Sequence, residues 1–193
     1  MRIIGGTWRG RRLDSVRGDH VRPTTDRVRE SLFNLLAGEV TGAAVVDLCC
    51  GSGALGLEAL SRGASRVDFV DLAPQSLATV RANLERCDAA PETWALHRAD
   101  AARWLNRRLE AGGVPLLILA DPPYGGKAAM ALERAILAGP PSAVLVAVLE
   151  RPADAGEIAA APELWLLDVR TYGRTALTLI RPRDPVELEA RHD

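Results

Sequence analysis

Hydrophobic and polar positions in this 193-residue chain change their period along its length, and the changes predict helices alternating with strands. Near the start, Val28, Leu32 and Leu36 recur at helical spacing, which predicts an amphipathic helix over 25–37. From residue 43 onward, short apolar runs that predict buried strands alternate with longer segments of helical period. The predicted strands cover 43–48, 66–71, 93–97, 116–120 and 143–150, and the predicted helices cover 54–61, 74–86, 101–110, 128–137 and 154–160. Two closing strands are predicted over 164–172 and 175–180.

Five successive strand–helix units predict an α/β fold, in which a parallel sheet carries helices on both faces. The last two strands are joined only by Gly173 and Arg174, a linker too short for a crossover helix. They are therefore predicted to form an antiparallel hairpin at one edge of the sheet. The expected organisation is a basic N-terminal segment over 1–22, predicted as a short hairpin or an extended arm, then one domain over 23–182 and a charged tail over 183–193.

Composition restricts the class of protein. A hydrophobic content of 48% and a charged content of 25% are typical of a soluble globular protein. The chain contains no apolar run of 18 residues, so it has no predicted transmembrane helix, and its start does not resemble a signal peptide. Three cysteines without paired spacing argue against a disulfide framework, and we expect a cytoplasmic protein.

The distribution of charge is more informative than the net charge of −1. Residues 1–22 hold six arginines against two aspartates, a local charge of +4, so the remainder of the chain sums to −5. A basic arm on an acidic body suggests that a polyanion is bound at one end. The alternative is a solvated basic tail with no partner.

A glycine-rich loop follows the first predicted strand of the alternating region. Gly51, Gly53 and Gly56 match G-x-G-x-x-G, and Asp71 lies 20 residues after Gly51, as in dinucleotide sites. Asp47, however, precedes the loop and is poorly placed beside a pyrophosphate. It suits a cationic ligand such as S-adenosylmethionine, whose ammonium group it could bind directly or through water. An NAD site therefore remains an alternative to an S-adenosylmethionine site.

Four aspartates lie at the ends of the first four strands of the predicted parallel sheet: Asp47, Asp71, Asp100 and Asp121. The carboxyl ends of parallel strands meet at one edge of a sheet, where α/β proteins bind ligands. We expect Asp71 to accept both ribose hydroxyls and Asp100 to accept a hydrogen bond from the adenine amine. The alternative is that each aspartate is only a helix N-cap.

The segment Asp121-Pro122-Pro123-Tyr124 ends the strand over 116–120. The exocyclic amine of a base is a poor nucleophile because its lone pair is delocalised into the ring. Two acceptors aimed at its N–H groups, the Asp121 carboxylate and the Pro122 carbonyl, would favour a tetrahedral nitrogen with a localised lone pair. Tyr124 can stack on the base. The segment therefore predicts methyl transfer to an amine, with Asp121 also a candidate acceptor of the released proton.

Other reactive side chains are not placed for catalysis. None of the three cysteines follows the fourth strand, where a nucleophile for attack on a pyrimidine carbon would be needed, so we interpret them as core or loop residues. The three histidines are scattered and lack metal-ligand spacing, so no metal site is predicted.

The glycine loop together with Asp121 to Tyr124 resembles class I amino-methyltransferases that depend on S-adenosylmethionine. The segments 2–11 and 22–30, with Tyr172-Gly173, narrow the resemblance to the RsmD family, bacterial 16S rRNA guanine-N2 methyltransferases. The chain departs from the family pattern at Cys49-Cys50, where Phe-Ala or Tyr-Ala is more usual, and at Asp71, where glutamate is common. Both departures keep the required chemistry.

The resemblance implies a Rossmann-like sheet of seven strands with the last strand antiparallel. Its implied substrate is a guanine of 16S rRNA in the small (30S) ribosomal subunit or an assembly intermediate, and we expect the protein to act as a monomer. Alternatives from other classes are an adenine-N6 methyltransferase, an NAD-dependent oxidoreductase and a catalytically silent RNA-binding assembly factor.

The candidate site residues fall into three groups, which are catalytic, cofactor-binding and RNA-binding. The candidate catalytic residues are Asp121, Pro122 and Tyr124. The candidate S-adenosylmethionine-binding residues are Asp47, Gly51, Ser52, Gly53, Asp71, Leu72, Asp100 and Ala101. The candidate RNA-binding residues are Arg9, Arg11, Arg12, Arg22, Thr24 and Lys127.

Overall fold

The computed structural model describes residues 1–16, 26–123, 127–156, 158 and 163–183. Five α-helices and seven β-strands occupy these ranges. The helices are α1 Asp26–Leu35, α2 Ala54–Ser61, α3 Pro74–Arg86, α4 Ala101–Glu110 and α5 Lys127–Ala138. The strands are β1 Ala44–Leu48, β2 Arg66–Asp71, β3 Trp94–Arg98, β4 Leu116–Ala120, β5 Val144–Pro152, β6 Trp165–Tyr172 and β7 Thr175–Pro182. Within this part of the chain no helix is long and apolar enough to cross a membrane.

The seven strands form one sheet in the order β3-β2-β1-β4-β5-β7-β6. The first five strands run parallel, and β7 pairs antiparallel with both β5 and β6. These pairings confirm the predicted α/β fold, the seven-stranded sheet and the closing hairpin. Because β1 has β2 on one side and β4 on the other, the chain reverses its winding direction at β1. A crevice for ligands is expected at the carboxyl end of β1.

Side chains of β1 alternate between two hydrophobic cores, one on each face of the sheet. Val45 packs in the core that includes residues of α1, α2 and α3, whereas Val46 and Leu48 pack in the core that includes residues of α4 and α5. Since successive side chains of a strand point to opposite faces, Asp47 is directed to the same side as Val45 and α2.

The N-terminal residues fold back on themselves and pack against α2. The Ile3 amide donates to the Arg11 carbonyl at 2.9 Å, and the Gly10 amide donates to the Ile3 carbonyl at 2.8 Å. Ile3 is buried in the core next to α1. The carboxylate of Glu58, in α2, accepts hydrogen bonds from the amides of residues 4 and 5, each at 2.8 Å. Of the two forms predicted for this segment, the structure shows the hairpin, and it is attached to the domain.

The predicted helix over 154–160 is wrong for the residues that the structure describes. Residues 154–156 of the predicted helix 154–160 form a turn and a bend, because β5 extends to Pro152 to pair with Thr175 of β7. Of the other residues in that prediction, 157, 159 and 160 lie outside the described residues, and Ile158 is not helical. The remaining strands and helices differ from their predicted bounds by at most two residues wherever their ends are described.

Candidate active site

A cleft of about 560 Å³ opens at the carboxyl ends of β1, β2 and β4. The structure brings nine of the predicted site residues into its lining: Asp47, Gly51, Ser52, Asp71, Leu72, Asp100, Ala101, Asp121 and Pro122. Gly53 is packed behind the loop. The four aspartates at the ends of β1, β2, β3 and β4 therefore border one space, which gives the cleft a strongly acidic wall.

Asp47 lies at the base of the cleft and is only 1% exposed. Its Oδ2 atom accepts a hydrogen bond of 2.8 Å from the amide of Gly56, in the first turn of α2. Burial raises the pKa of Asp47 well above its usual range; the Gly56 hydrogen bond opposes this, and the charges of Asp121 and Asp71 raise the pKa further. The ionised form is therefore costly, and a bound cation would offset that cost.

The three glycines of the loop meet different steric demands. A Cβ atom on Gly56 would lie 2.3 Å from the Phe69 ring, and one on Gly53 would lie 2.9 Å from Val80. These two glycines permit close packing of α2 and its preceding turn against β2 and α3. Gly51, with φ of 52°, borders the cleft with open space at its Cβ position. Only Gly51 among them is positioned for close backbone approach to a ligand.

Asp71 holds the glycine loop and the start of α3 together. Its Oδ2 accepts a hydrogen bond from the Gly51 amide at 3.0 Å, and its Oδ1 accepts one from the Ala73 amide at 2.8 Å. Leu72, beside it, is 64% exposed and lines the cleft. A carboxylate oxygen has two lone pairs, so Asp71 retains acceptor capacity for a hydroxyl group.

Asp100 is the N-cap of α4. Its Oδ1 accepts a hydrogen bond of 2.9 Å from the Arg103 amide. The N-cap alternative therefore holds for Asp100, which nevertheless also lines the cleft with Ala101.

Asp121 follows β4 on the side of the cleft opposite Asp71. Its amide donates to the carbonyl of Leu48 at 3.3 Å, which fixes the end of β4 beside the end of β1. Pro122 is buried and Pro123 is exposed, so the turn passes from the domain interior to the surface within two residues. Tyr124, the third candidate catalytic residue, lies outside the described residues.

The thiols near the site are not activated. Burial and the surrounding aspartates raise the pKa of Cys49, which lines the cleft, to about 12. Burial also raises the pKa of Cys50 and, less strongly, that of Cys87. A thiol that stays protonated at neutral pH is a poor nucleophile. No group of acidic, histidine or cysteine side chains in the described ranges could hold a metal ion.

The candidate RNA-binding residues are unevenly placed. Arg9, Arg12 and Lys127 are exposed. Arg11 is engaged within the fold, since its Nη1 donates to the Arg86 carbonyl at 2.7 Å and to Asp88 at 3.1 Å. The other two candidates, at positions 22 and 24, fall outside the described residues.

Sequence reasoning missed several residues of the cleft lining, and four of them come from the part of the chain before the sheet: Met1, Ser15, Val16 and Arg29. The first three reach the cleft because the N-terminal hairpin packs against the domain. Arg29 is 1% exposed and lies next to Val28 on the buried side of α1. The sequence held one signal for Arg29, which is that an arginine lies on the apolar side of an amphipathic helix.

Comparison with known proteins identifies a family whose model matches most of the chain. The family model described as Conserved hypothetical protein 95 matches residues 1–181. The Ribosomal RNA small subunit methyltransferase D of Escherichia coli is 54% identical over 72 residues, which are 37% of this chain and 36% of that enzyme. The enzyme of the same name from Haemophilus influenzae is 35% identical over 124 residues, 64% of each chain. The aligned segments thus span less than two thirds of these two curated relatives.

Solved structures match over a larger part of the chain. The Escherichia coli protein yhhF is 31% identical with a TM-score of 0.78, and the match covers 95% of this chain and 98% of that one. A hypothetical protein of Thermus thermophilus is 27% identical with a TM-score of 0.73, covering 94% and 99%. The similarity of fold thus extends over nearly the whole length of this chain and of these two solved structures.

Proposed function

Because the chain belongs to the RsmD family of class I, S-adenosylmethionine-dependent methyltransferases, we propose that it transfers a methyl group to the N2 amine of a guanine in 16S rRNA. The observation that carries this proposal is the convergence of Asp47, Asp71, Asp100 and Asp121 on one cleft at the carboxyl edge of the sheet. An acidic cleft of this kind suits a nucleoside that also carries cationic groups, as S-adenosylmethionine does with its ammonium and its sulfonium.

The position of the aspartates in the cleft also disfavours an NAD-dependent oxidoreductase. In a dinucleotide site the first amides of the helix after the glycine loop face a pyrophosphate. Here the amide of Gly56 already donates to the Asp47 carboxylate at 2.8 Å. Asp47 and Asp71 would repel a pyrophosphate placed at this position. The G-x-G-x-x-G spacing is explained instead by the packing of Gly53 and Gly56.

The residues of the cleft fit the chemical groups of S-adenosylmethionine, which when bound supplies an electrophilic methyl group on a sulfonium. We assign Asp47 to its ammonium group, Asp71 to its ribose hydroxyls and Asp100 to its adenine amine. Gly51, Ser52, Leu72 and Ala101 supply the remaining cleft surface, and Gly53 shapes the loop from behind.

Asp121 and Pro122 act on the nucleophile. The Asp121 carboxylate accepts one N–H of the guanine amine and the Pro122 carbonyl accepts the other, which directs the nitrogen lone pair out of the conjugated plane. Tyr124 stacks on the base and fixes its orientation. The nitrogen then forms its bond to the methyl carbon as the carbon–sulfur bond breaks, and the surplus amine proton passes to Asp121 or to water.

We further propose that the exposed arginines of the N-terminal hairpin, Arg9 and Arg12, together with Arg22, Thr24 and Lys127, contact rRNA in the 30S subunit or an assembly intermediate. Arg11 is assigned a supporting role, because its guanidinium is bound to Asp88. Phosphate contacts of this kind make binding weaken steeply as salt concentration rises. The protein is proposed to work as a cytoplasmic monomer.

The test is an assay with isotopically labelled S-adenosylmethionine and three substrates: naked 16S rRNA, 30S subunits that lack the modification, and DNA. Digestion and chromatography identify the methylated nucleoside. We expect N2-methylguanosine from an rRNA substrate only. N6-methyladenosine, or label in DNA, would overturn the proposal, because Asp121 to Tyr124 could serve an adenine amine in the same way.

Two controls accompany the assay. The Asp121→Ala variant should lose turnover while its affinity for S-adenosylhomocysteine, measured by isothermal titration, stays largely unchanged. NAD should show no heat of binding under the same conditions. Normal turnover by the variant would remove Asp121 from the mechanism, and the absence of turnover by the wild type on every RNA would favour a silent assembly factor.

A further inference from the structure

Arg29 is a buried cation in the wall of an otherwise acidic cleft. Its side chain is 1% exposed, yet it is among the residues that line the cleft. Arginine keeps its charge even where burial lowers its pKa, as burial does here. A charge in this position therefore requires anionic partners close by.

In ranges 1–16, 26–123, 127–156, 158 and 163–183, the hydrogen bonds of Arg29 leave part of its guanidinium without a strong partner. Nη2 donates to the Arg2 carbonyl at 2.6 Å and to Oδ1 of Asp26 at 2.9 Å. The one contact of Nη1 with the residues that the structure describes is the Met1 sulfur, at 3.3 Å, and sulfur is a weak acceptor. Nε is buried and has no hydrogen-bond partner among the described residues.

Arg29 also shares its carboxylate partners with neighbouring arginines. Asp26 is shared between Arg29, at 2.9 Å, and Arg2, at 3.4 Å, and its side chain is 47% exposed. The nearby Glu58 carboxylate is bound to Arg62 at 2.8 Å. Within the described part of the chain, three arginines thus share these two carboxylates, and Arg29 has no carboxylate of its own.

The position of Arg29 relative to the glycine loop indicates which ligand group this is. The Met1 sulfur lies 3.3 Å from Arg29 Nη1 and 3.7 Å from Ser52 Oγ, so a single atom bridges the arginine and the loop. Asp47, the proposed partner of the cofactor's ammonium, lines the same cleft. We propose that Arg29 binds the α-carboxylate of S-adenosylmethionine, so that the amino-acid end of the cofactor is held by one anion, Asp47, and one cation.

This inference rests on the proposed function, since it takes the cleft to be the cofactor site. An RNA phosphate is a less suitable ligand for Arg29. Phosphates are contacted by exposed lysines and arginines along a surface, whereas Arg29 is almost fully enclosed. A polyanion would also have to approach Asp47, Asp71 and Asp121, while the zwitterionic end of the cofactor presents an ammonium to an aspartate and a carboxylate to Arg29.

The experiment compares two ligands by isothermal titration: S-adenosylhomocysteine and its decarboxylated analogue, which keeps the amine. Wild-type protein should bind S-adenosylhomocysteine about 10- to 100-fold more tightly than the analogue, the range expected for one hydrogen-bonded charge pair. In Arg29→Gln this preference should fall close to one, with the affinity for the analogue unchanged. Arg29→Lys should keep part of the preference, because it keeps the charge.

Arg62→Met is the matched control. It removes another arginine of the same cluster, with a side chain 22% exposed, that does not line the cleft. Any effect it has on folding should change the affinity for both ligands alike. Each variant is also melted to establish that it is folded.

The outcomes separate this inference from the proposed function. Equal wild-type affinity for the two ligands would overturn the role of Arg29, and this comparison needs no variant to fold. A retained preference in folded Arg29→Gln would overturn it as well. Normal S-adenosylhomocysteine binding by Arg29→Gln with weakened RNA binding would reassign Arg29 to a phosphate. Absence of binding by either nucleoside would contradict the proposed function itself.

Discussion

Replacement of Asp47 by asparagine should stabilise the free protein and weaken its binding of the cofactor product. The two side chains have nearly the same shape, and the amide oxygen of asparagine can still accept the hydrogen bond from the Gly56 amide. The substitution therefore removes a buried charge while it keeps the contact that orients α2. Its effects on stability and on ligand binding should have opposite signs.

The sign of the stability effect follows from the pKa. Burial raises the pKa of Asp47 in the folded state above the value of about 3.9 that a carboxyl group has in an unfolded chain. The folded state consequently binds this proton more tightly than the unfolded state does. Proton binding therefore stabilises the fold at a pH below the pKa of the unfolded state, and this stabilisation is lost as the pH rises through the pKa of the folded state. At neutral pH the neutral asparagine avoids that loss. Each kcal/mol regained raises Tm by about 2–4 °C in a domain of this size.

The binding effect comes from the ligand's ammonium. An ionised carboxylate gives a charge-assisted hydrogen bond that the neutral amide of asparagine cannot replace. Its loss corresponds to about 10- to 100-fold weaker binding of S-adenosylhomocysteine. Wild-type affinity should also fall as the pH is lowered through the raised pKa of Asp47, whereas the variant should lose this dependence.

Thermal melts and isothermal titration of Asp47→Asn measure the two effects on the same sample. Asp168→Asn is the control, because this acid of β6 is paired with Arg170 at the surface, far along the sheet from β1. We expect the control to match the wild type in both measurements. Undiminished affinity in Asp47→Asn would refute the contact with the ammonium, and a lowered Tm would refute the cost assigned to the buried charge.

Three further changes test the parts of the fold that position the cleft. Glu58→Gln removes the charged partner of Arg62 and one of the two carboxylate oxygens that accept the N-terminal amides. Urea unfolding should therefore show a free energy of unfolding that is lower by about 2–4 kcal/mol. Unchanged stability would mean that the hairpin is held by apolar packing alone. Gly56→Ala should lower the free energy of unfolding by about 1–3 kcal/mol, because the added Cβ would overlap the Phe69 ring. An unaltered denaturation midpoint would show that α2 can shift to make room for it. Cys49, with a pKa raised to about 12, should react with iodoacetamide at about pH 7.5 far more slowly than a free thiol; labelling at the free-thiol rate would contradict that value.

The parts of the fold governed by local signals were predictable from the sequence. The bounds of α2, α3 and α4 match the predicted residues, because in each the helical period of the apolar positions agrees with a recognisable start. Pro74, at the first position of α3, is one such start. The predicted helix over 154–160 fails for the converse reason, since pairing of β5 with β7 extends the strand into the following segment.

The part of the cleft wall formed by the N-terminal residues could not be predicted in the same way. It depends on contacts between residues far apart in the chain, such as the two hydrogen bonds from the amides of Ile4 and Gly5 to Glu58. Asn83 adds a second link, because its amide binds the backbone of Asp14 at 3.0 Å and that of Ser52, also at 3.0 Å. No periodicity in the sequence encodes such pairings, so the N-terminal residues were predicted as an RNA-binding arm and not as part of the cofactor cleft.

The aspartates of the cleft show that a capping role and a ligand-binding role are compatible. Asp47 and Asp100 each use one carboxylate oxygen to accept an amide at the start of a helix, α2 for Asp47 and α4 for Asp100. A carboxylate has a second oxygen, and in both residues the described contacts give it no backbone donor. The hydrogen bond to the helix fixes the orientation of the carboxylate before a ligand arrives, so less conformational entropy is lost on binding. The hydrogen bonds from these aspartates to the helix amides therefore do not compete with ligand binding. They hold the carboxylates in a fixed position at the edge of the sheet.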